Sequence, residues 1–190
     1  MGRGVAFWYG FAWMAALSLE SCAVYPTSRT FYEPNADDGS VTNRGSCGYM
    51  TTHDAIERNV GGVVLKIFIG DEDEPSGRPD TLDVHITASH KEDGTTIDQT
   101  KVTVSAEGDS KELHGNFMPP VAAKLGLKWQ DDPRYLGISI QYPAPAGTYD
   151  AIVVKFASGA LRLHGQTLDV QPFRFHRVKK HDVYYGSINC

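Results

Sequence analysis

Three cysteines, seven histidines and one dense acidic run are the groups in this 190-residue chain most able to do chemistry. Cys22, Cys47 and Cys190 make an odd count, so they cannot all pair within one chain. Gly45-Ser46-Cys47-Gly48 has no basic cluster and no second thiol beside it, which argues against a nucleophilic role for Cys47. His85 and His90 are five residues apart, as are His176 and His181. On a strand an odd separation turns side chains to opposite faces, so neither pair chelates a metal from one straight strand. Neither His-x-His nor His-Glu-x-x-His is present. A zinc site would have to be assembled across strands, and no metal or other cofactor is expected. Asp71-Glu72-Asp73-Glu74 offers oxygen ligands of the kind calcium takes, without the alternating spacing or glycine of an EF-hand loop. It reads as a solvated loop that discourages edge-to-edge aggregation.

Catalytic signatures are absent: there is no Gly-x-Ser-x-Gly, no phosphate-binding glycine loop and no paired-carboxylate pattern. A non-enzymatic protein is expected. The alternative is a hydrolase built from loop residues, which requires two or more of Asp83, His85, His90 and His114 to converge in a deep pocket. Arg174, Arg177, Lys179 and Lys180 form a basic cluster that could meet an acidic partner or lipid headgroups. Alternation with Phe173 and Phe175 gives the simpler reading of a strand with one buried and one charged face. Trp129, Tyr135, Tyr142, Tyr149, Tyr184 and Tyr185 could form a stacking platform for sugar or peptide, although aromatics in sandwiches usually lie in the core. A net charge of −5 leaves no basic excess for nucleic acid and no electrostatic hold on anionic lipid.

The N-terminus carries an address. Arg3 precedes an uncharged apolar run from Val5 to Leu19, which ends at Glu20. This is a signal-peptide pattern, and the run is shorter than the roughly 20 residues a spanning helix needs. Leu19-Glu20-Ser21-Cys22 resembles the lipobox of bacterial lipoproteins. Leu19, Ser21 and Cys22 fit that motif, while Glu20 stands where small or apolar residues are usual. The resemblance implies that Cys22 is lipidated on sulfur and becomes the new N-terminus. Two acyl chains suffice for stable anchoring where one is marginal. By the same resemblance, Ala23 after the cysteine implies the outer membrane, facing the periplasm. Ser21-Cys22-Ala23 also allows ordinary cleavage after Ala23, which would release a soluble periplasmic protein. With Cys22 set aside for lipid, Cys47 and Cys190 are expected to form a disulfide in an oxidising periplasm, the alternative being a buried free-thiol pair.

These groups need a scaffold. Residues 1–21 read as the signal peptide, 22–46 as lipid attachment site and tether, and 47–190 as the folded domain. The segment 22–46 is polar and rich in turn residues, but its aromatics Tyr25, Phe31 and Tyr32 argue that part of it docks on the domain. Val63–Ile69 is continuous and β-branched, which predicts a central strand covered on both faces. Leu82, Val84, Ile86 and Ala88 alternate with polar residues and predict a half-buried strand. Asp93-Gly94 predicts a hairpin returning through Lys101–Ser105. Residues 51–59 fit either a short helix or an extended lead-in. Val121–Leu125 predicts one or two helical turns. Further strands are expected at Leu136–Tyr142, Tyr149–Phe156, Leu161–Leu163, Leu168–Phe175 and Val183–Ile188. About eight strands with frequent turns predict an all-β fold, an antiparallel β-sandwich of Ig-like architecture with at most one short helix. The expected function is a tethered β-sandwich in the bacterial envelope that binds a protein, peptide or glycan partner through loops or an edge strand. A structural spacer is a further alternative.

Overall fold

The computed structural model describes residues 22–44, 53–70, 81–118, 134–144 and 148–187, of which 22–25, 117–118 and 184–187 are described by backbone alone. Among them fourteen strands run in chain order. They are β1 (Cys22–Pro34), β2 (Ser40–Thr42), β3 (Ala55–Val60), β4 (Val63–Ile69) and β5 (Leu82–Ser89). Next come β6 (Thr95–Ile97), β7 (Val102–Ala106), β8 (Glu112–His114), β9 (Asn116–Met118) and β10 (Tyr135–Tyr142). β11 (Ala151–Phe156), β12 (Leu161–Leu163), β13 (Gln166–Leu168) and β14 (Phe173–Ser187) complete the set. Short 3-10 turns at Ala36–Asp38 and Gln99–Lys101 are each capped by a side chain, Asn35 and Asp98 respectively, that accepts a backbone N–H.

All pairings are antiparallel, in three sheets. One has the order β1-β14-β11-β7-β8, a second β2-β3-β4-β5-β10-β9, and a small third β13-β12-β6. The alternating sequences explain the two large sheets. Leu65, Ile67, Val84, Ile86 and Ile140 from one meet Val104, Ile152, Val154, Phe173 and Phe175 from the other in one apolar core. Tyr142 spans the layer: its hydroxyl donates to the Val102 carbonyl at 3.0 Å, and burial pushes its phenol above the usual range. The all-β, sandwich-like architecture is therefore as expected.

Several details differ from expectation. The strands outnumber the expected eight, chiefly because β2, β6, β8, β9 and β13 are three residues each, too short to show a period, while the equally short β12 lies where Leu161–Leu163 was expected. β4 is central in its sheet, but only Val63, Leu65, Ile67 and Ile69 are buried; its other face is half-buried, not fully covered. The expected Asp93-Gly94 hairpin does not form. β5 pairs with β4 and β10, β6 pairs with β12, and β7 pairs with β11 and β8, so the chain crosses between sheets there. Gly94 is still required: its φ is +96°, and a Cβ would collide with the His164 ring. Of the two alternatives left open for residues 51–59, the extended one holds over 55–59, where β3 (Ala55–Val60) begins. Leu168–Phe175 is broken at 169–172, and Phe173 begins a single strand of 15 residues that takes in the expected C-terminal one over Val183–Ser187.

The largest correction concerns the tether. Cys22–Pro34 is a strand of 13 residues, paired with β14 along its whole length. Phe31 and Tyr32 are buried, as their aromatic character implied. The signal segment 1–21, Cys47, the acidic run Asp71–Glu74, the helical turns at Val121–Leu125, Trp129 and Cys190 lie outside the described residues.

Candidate functional site

β14 pairs with β11 only over Phe173–His176, but with β1 from Phe175 to Ser187. Beyond His176 the two strands therefore continue as a ribbon, flanked by no third strand among the described residues. Backbone bonding alternates along β14. Arg174 accepts from the Asn35 N–H on the β1 side at 2.9 Å, and Arg177 donates to the Asp150 carbonyl on the β11 side at 2.7 Å. Even-numbered residues of β14 thus bond toward β1, and odd-numbered ones face the edge that carries β11 lower down. The same parity turns Pro26 and Pro34 of β1 toward the ribbon's other edge, where each lacks a donor.

A charged clamp holds the base of the ribbon. The Asp38 carboxylate accepts the Arg174 backbone N–H at 2.8 Å, its Nε at 3.0 Å and its Nη2 at 2.6 Å. These bonds hold the Asp38 carboxyl below the usual carboxylate range. Arg58 closes the other side. Its guanidinium donates to the carbonyls of Asp38, Gln171 and Pro172 and lies 4.0 Å over the Phe173 ring.

The middle of the ribbon rests on a buried ion cluster. Arg29 is fully buried; its Nη2 lies 2.5 Å from Asp54 Oδ2, and its Nη1 3.9 Å from Asp182 Oδ2. Arg44 donates its backbone N–H to Asp54 Oδ1 at 2.8 Å and brings its Nε within 3.6 Å of Oδ2. Among the described residues two cations and two anions meet here, the pairing that permits burial of charge. The Arg29 guanidinium also lies 4.6 Å from the centre of the buried Phe31 ring. Lys180 sits near the same ring at 5.9 Å and pairs with Glu33 at 2.6 Å. Asp182 also acts on the backbone, where its Oδ1 accepts the N–H of Val183 at 2.7 Å. The far end of the ribbon places Cys22 directly opposite Ser187.

Arg177, Lys179 and His181 are exposed, and their i, i+2, i+4 spacing puts them in a row on one face. The basic cluster noted in the sequence is thereby divided. Arg174 and Lys180 are spent on Asp38 and Glu33, while Lys179 and His181 face solvent. Tyr184 and Tyr185 are in β14 opposite Tyr25 and Val24.

The candidate catalytic residues do not converge. Asp83 and His85 share a face of β5, but Asp83 accepts from Thr81 at 3.1 Å and Gln141 at 3.3 Å. His85 meets Ser139 Oγ at 2.6 Å through Nδ1 and stacks on Phe68 at 4.5 Å. His90 lies past the end of that strand, edge-on to His164 at 6.2 Å. His114 is in β8, in the other large sheet. No group of three or more metal-ligating side chains is found among the described residues.

Inspection of the sequence missed Arg29, Asp54, Asp182, Asp38 and Arg58. Their charged partners lie from 10 residues away, for Asp54 and Arg44, to 136, for Asp38 and Arg174, and farther still for Arg29 and Asp182, and no local spacing marks them. No family model, curated protein or solved structure matches the chain.

Proposed function

We propose that this is a non-enzymatic bacterial envelope lipoprotein, anchored at Cys22, whose β-sandwich binds an envelope protein or glycan through its ribbon. The observation that carries the reading is the position of Cys22, the first residue of β1, at the ribbon's end opposite Ser187. An acyl group there extends the strand axis directly, so no flexible tether is needed. The seven residues from Cys22 to Ser28, ahead of the buried Arg29, would hold the sandwich about 20 Å from the bilayer surface. The lipobox-like Leu19-Glu20-Ser21-Cys22 and the net charge of −5 support anchoring by acyl chains rather than by basic patches. Placement in the outer membrane facing the periplasm rests on Ala23, and the Cys47–Cys190 disulfide on the oxidising compartment.

The test is the intact mass of the mature chain. A species starting at Cys22 with added acyl mass, lost from the membrane fraction on Cys22→Ser, is the expected result. A species starting at Val24 overturns anchoring in favour of a soluble periplasmic protein. The mass change on reduction reads the disulfide in the same spectrum.

One contact favours the hydrolase alternative, with Ser139 Oγ at 2.6 Å from His85 Nδ1. The binding-protein reading expects Ser139 to remain unlabelled by a fluorophosphonate probe. Labelling abolished by Ser139→Ala and by His85→Gln would replace it with the enzyme.

A further inference from the structure

The ribbon has two long edges, and they differ. On β1 the outward-facing positions include Pro26 and Pro34, which present no N–H. On β14 the ladder position at Arg177 is occupied by the Asp150 carbonyl, and the Val183 N–H is occupied by the Asp182 carboxylate. Between them Lys179 and His181 direct their N–H and C=O groups to an edge with no strand partner among the described residues. The open edge thus has a window of two consecutive free ladder positions, Lys179 and His181, bounded on one side by β11's approach and on the other by the capped Val183, beyond which Tyr185 and Ser187 face the same edge. Both residues that own the window are exposed, their side chains lie on one face, and neither makes an ion pair or side-chain hydrogen bond among the described residues.

We infer that this window binds an extended polypeptide segment of a partner protein by strand addition, with acidic side chains at alternate positions opposite Lys179 and His181. The inference rests on the binding-protein reading above and names its partner's chemistry. Two features define the occupant. Unsatisfied alternate backbone groups are matched by another extended chain, continuing the line of β11. Directly opposite residues of an added strand lie about 5 Å away on the same face, so carboxylates two residues apart would meet the Lys179 ammonium and the His181 ring together. The cap on Val183 prevents longer, unspecific pairing, because a strand extending there must displace the Asp182 carboxylate, which also faces Arg29.

Backbone amide exchange on the mature chain tests this. Without partner, the amides of Lys179 and His181 exchange fast while those of Lys180 and Asp182, bonded to β1, are protected. A synthetic nine-residue peptide alternating Glu with Thr and Val slows exchange at Lys179 and His181; its Lys-for-Glu counterpart does not. Lys179→Glu with His181→Glu weakens peptide binding about tenfold or more. His181→Pro, which removes one window donor while leaving the β1 bonds in place, abolishes the added protection; retained protection of Lys180 and Asp182 shows that the ribbon is still folded. Slow exchange at Lys179 and His181 in the peptide-free chain overturns the proposal, whether another part of the chain or a second copy covers the edge. Equal binding of the acidic and basic peptides overturns it too. An acylated Cys22 alongside either result leaves the anchored-protein reading standing, and peptide binding by an unacylated chain does the reverse.

Discussion

At the scale of single residues, two carboxylates determine how the ribbon joins the sandwich. Asp38 is ionised in the folded protein at pH values where the unfolded chain takes up a proton, since Arg174 lowers its pKa. Its contribution is therefore complete above the ordinary carboxylate range and is withdrawn as pH falls below about 4 toward the lowered value. Asp38→Asn should cost about 1–2 kcal/mol at neutral pH, a figure kept low because the Arg174 side chain is 40 % exposed. Urea melts at pH 7 and pH 3 check the sign: the gap between wild type and variant should narrow at the lower pH. Arg29 is the opposite case, fully buried among Asp54, Asp182 and Phe31. Arg29→Met should cost about 3–5 kcal/mol, because it leaves two buried carboxylates with fewer cations. Denaturant titration reads that loss directly.

At the scale of the element, the parity of the β1–β14 ladder makes a sharper statement than any average strand propensity. Thr27 bonds inward to β14, opposite Asp182, whereas the neighbouring Ser28 faces the outer edge and is exposed. Ser28→Pro should therefore change the melting temperature by no more than a few degrees, as Pro26 is already accepted on that edge. Thr27→Pro removes a ladder donor and should cost about 1–3 kcal/mol, with loss of amide protection along Lys180–Asp182. Strands such as β5, β10 and β11 were legible because one face is apolar and the other polar, residue by residue. β1 was not. Its buried stretch Arg29–Tyr32 has no period, since Arg29 and Thr30 are buried beside Phe31 and Tyr32. A polar segment is taken for a tether when the charges that permit its burial lie far away in sequence, as Asp54 and Asp182 do. The Asp-Gly signal misled for a related reason: it marks a left-handed backbone at Gly94, which a crossover between sheets needs as much as a hairpin does.

For the molecule as a whole, the first and last described residues lie side by side at the end of one two-stranded ribbon. Cys22 and Ser187 face each other at one end, and the sandwich core lies at the other. The candidate site was legible only as ingredients, namely the basic cluster and Cys22; their placement along one ribbon is a property of the pairing register. That register has a mechanical consequence. A pull on Cys22 along the strand axis loads the thirteen-residue β1–β14 interface in shear, so its hydrogen bonds resist together rather than breaking one after another. The same force applied across the axis would peel β1 away from its Cys22 end, meeting first the bonds around Ala23 and only later Arg29 and the Asp38 clamp. A protein fixed to a surface at Cys22 would thus be strong against being drawn off that surface and weak against being bent over it.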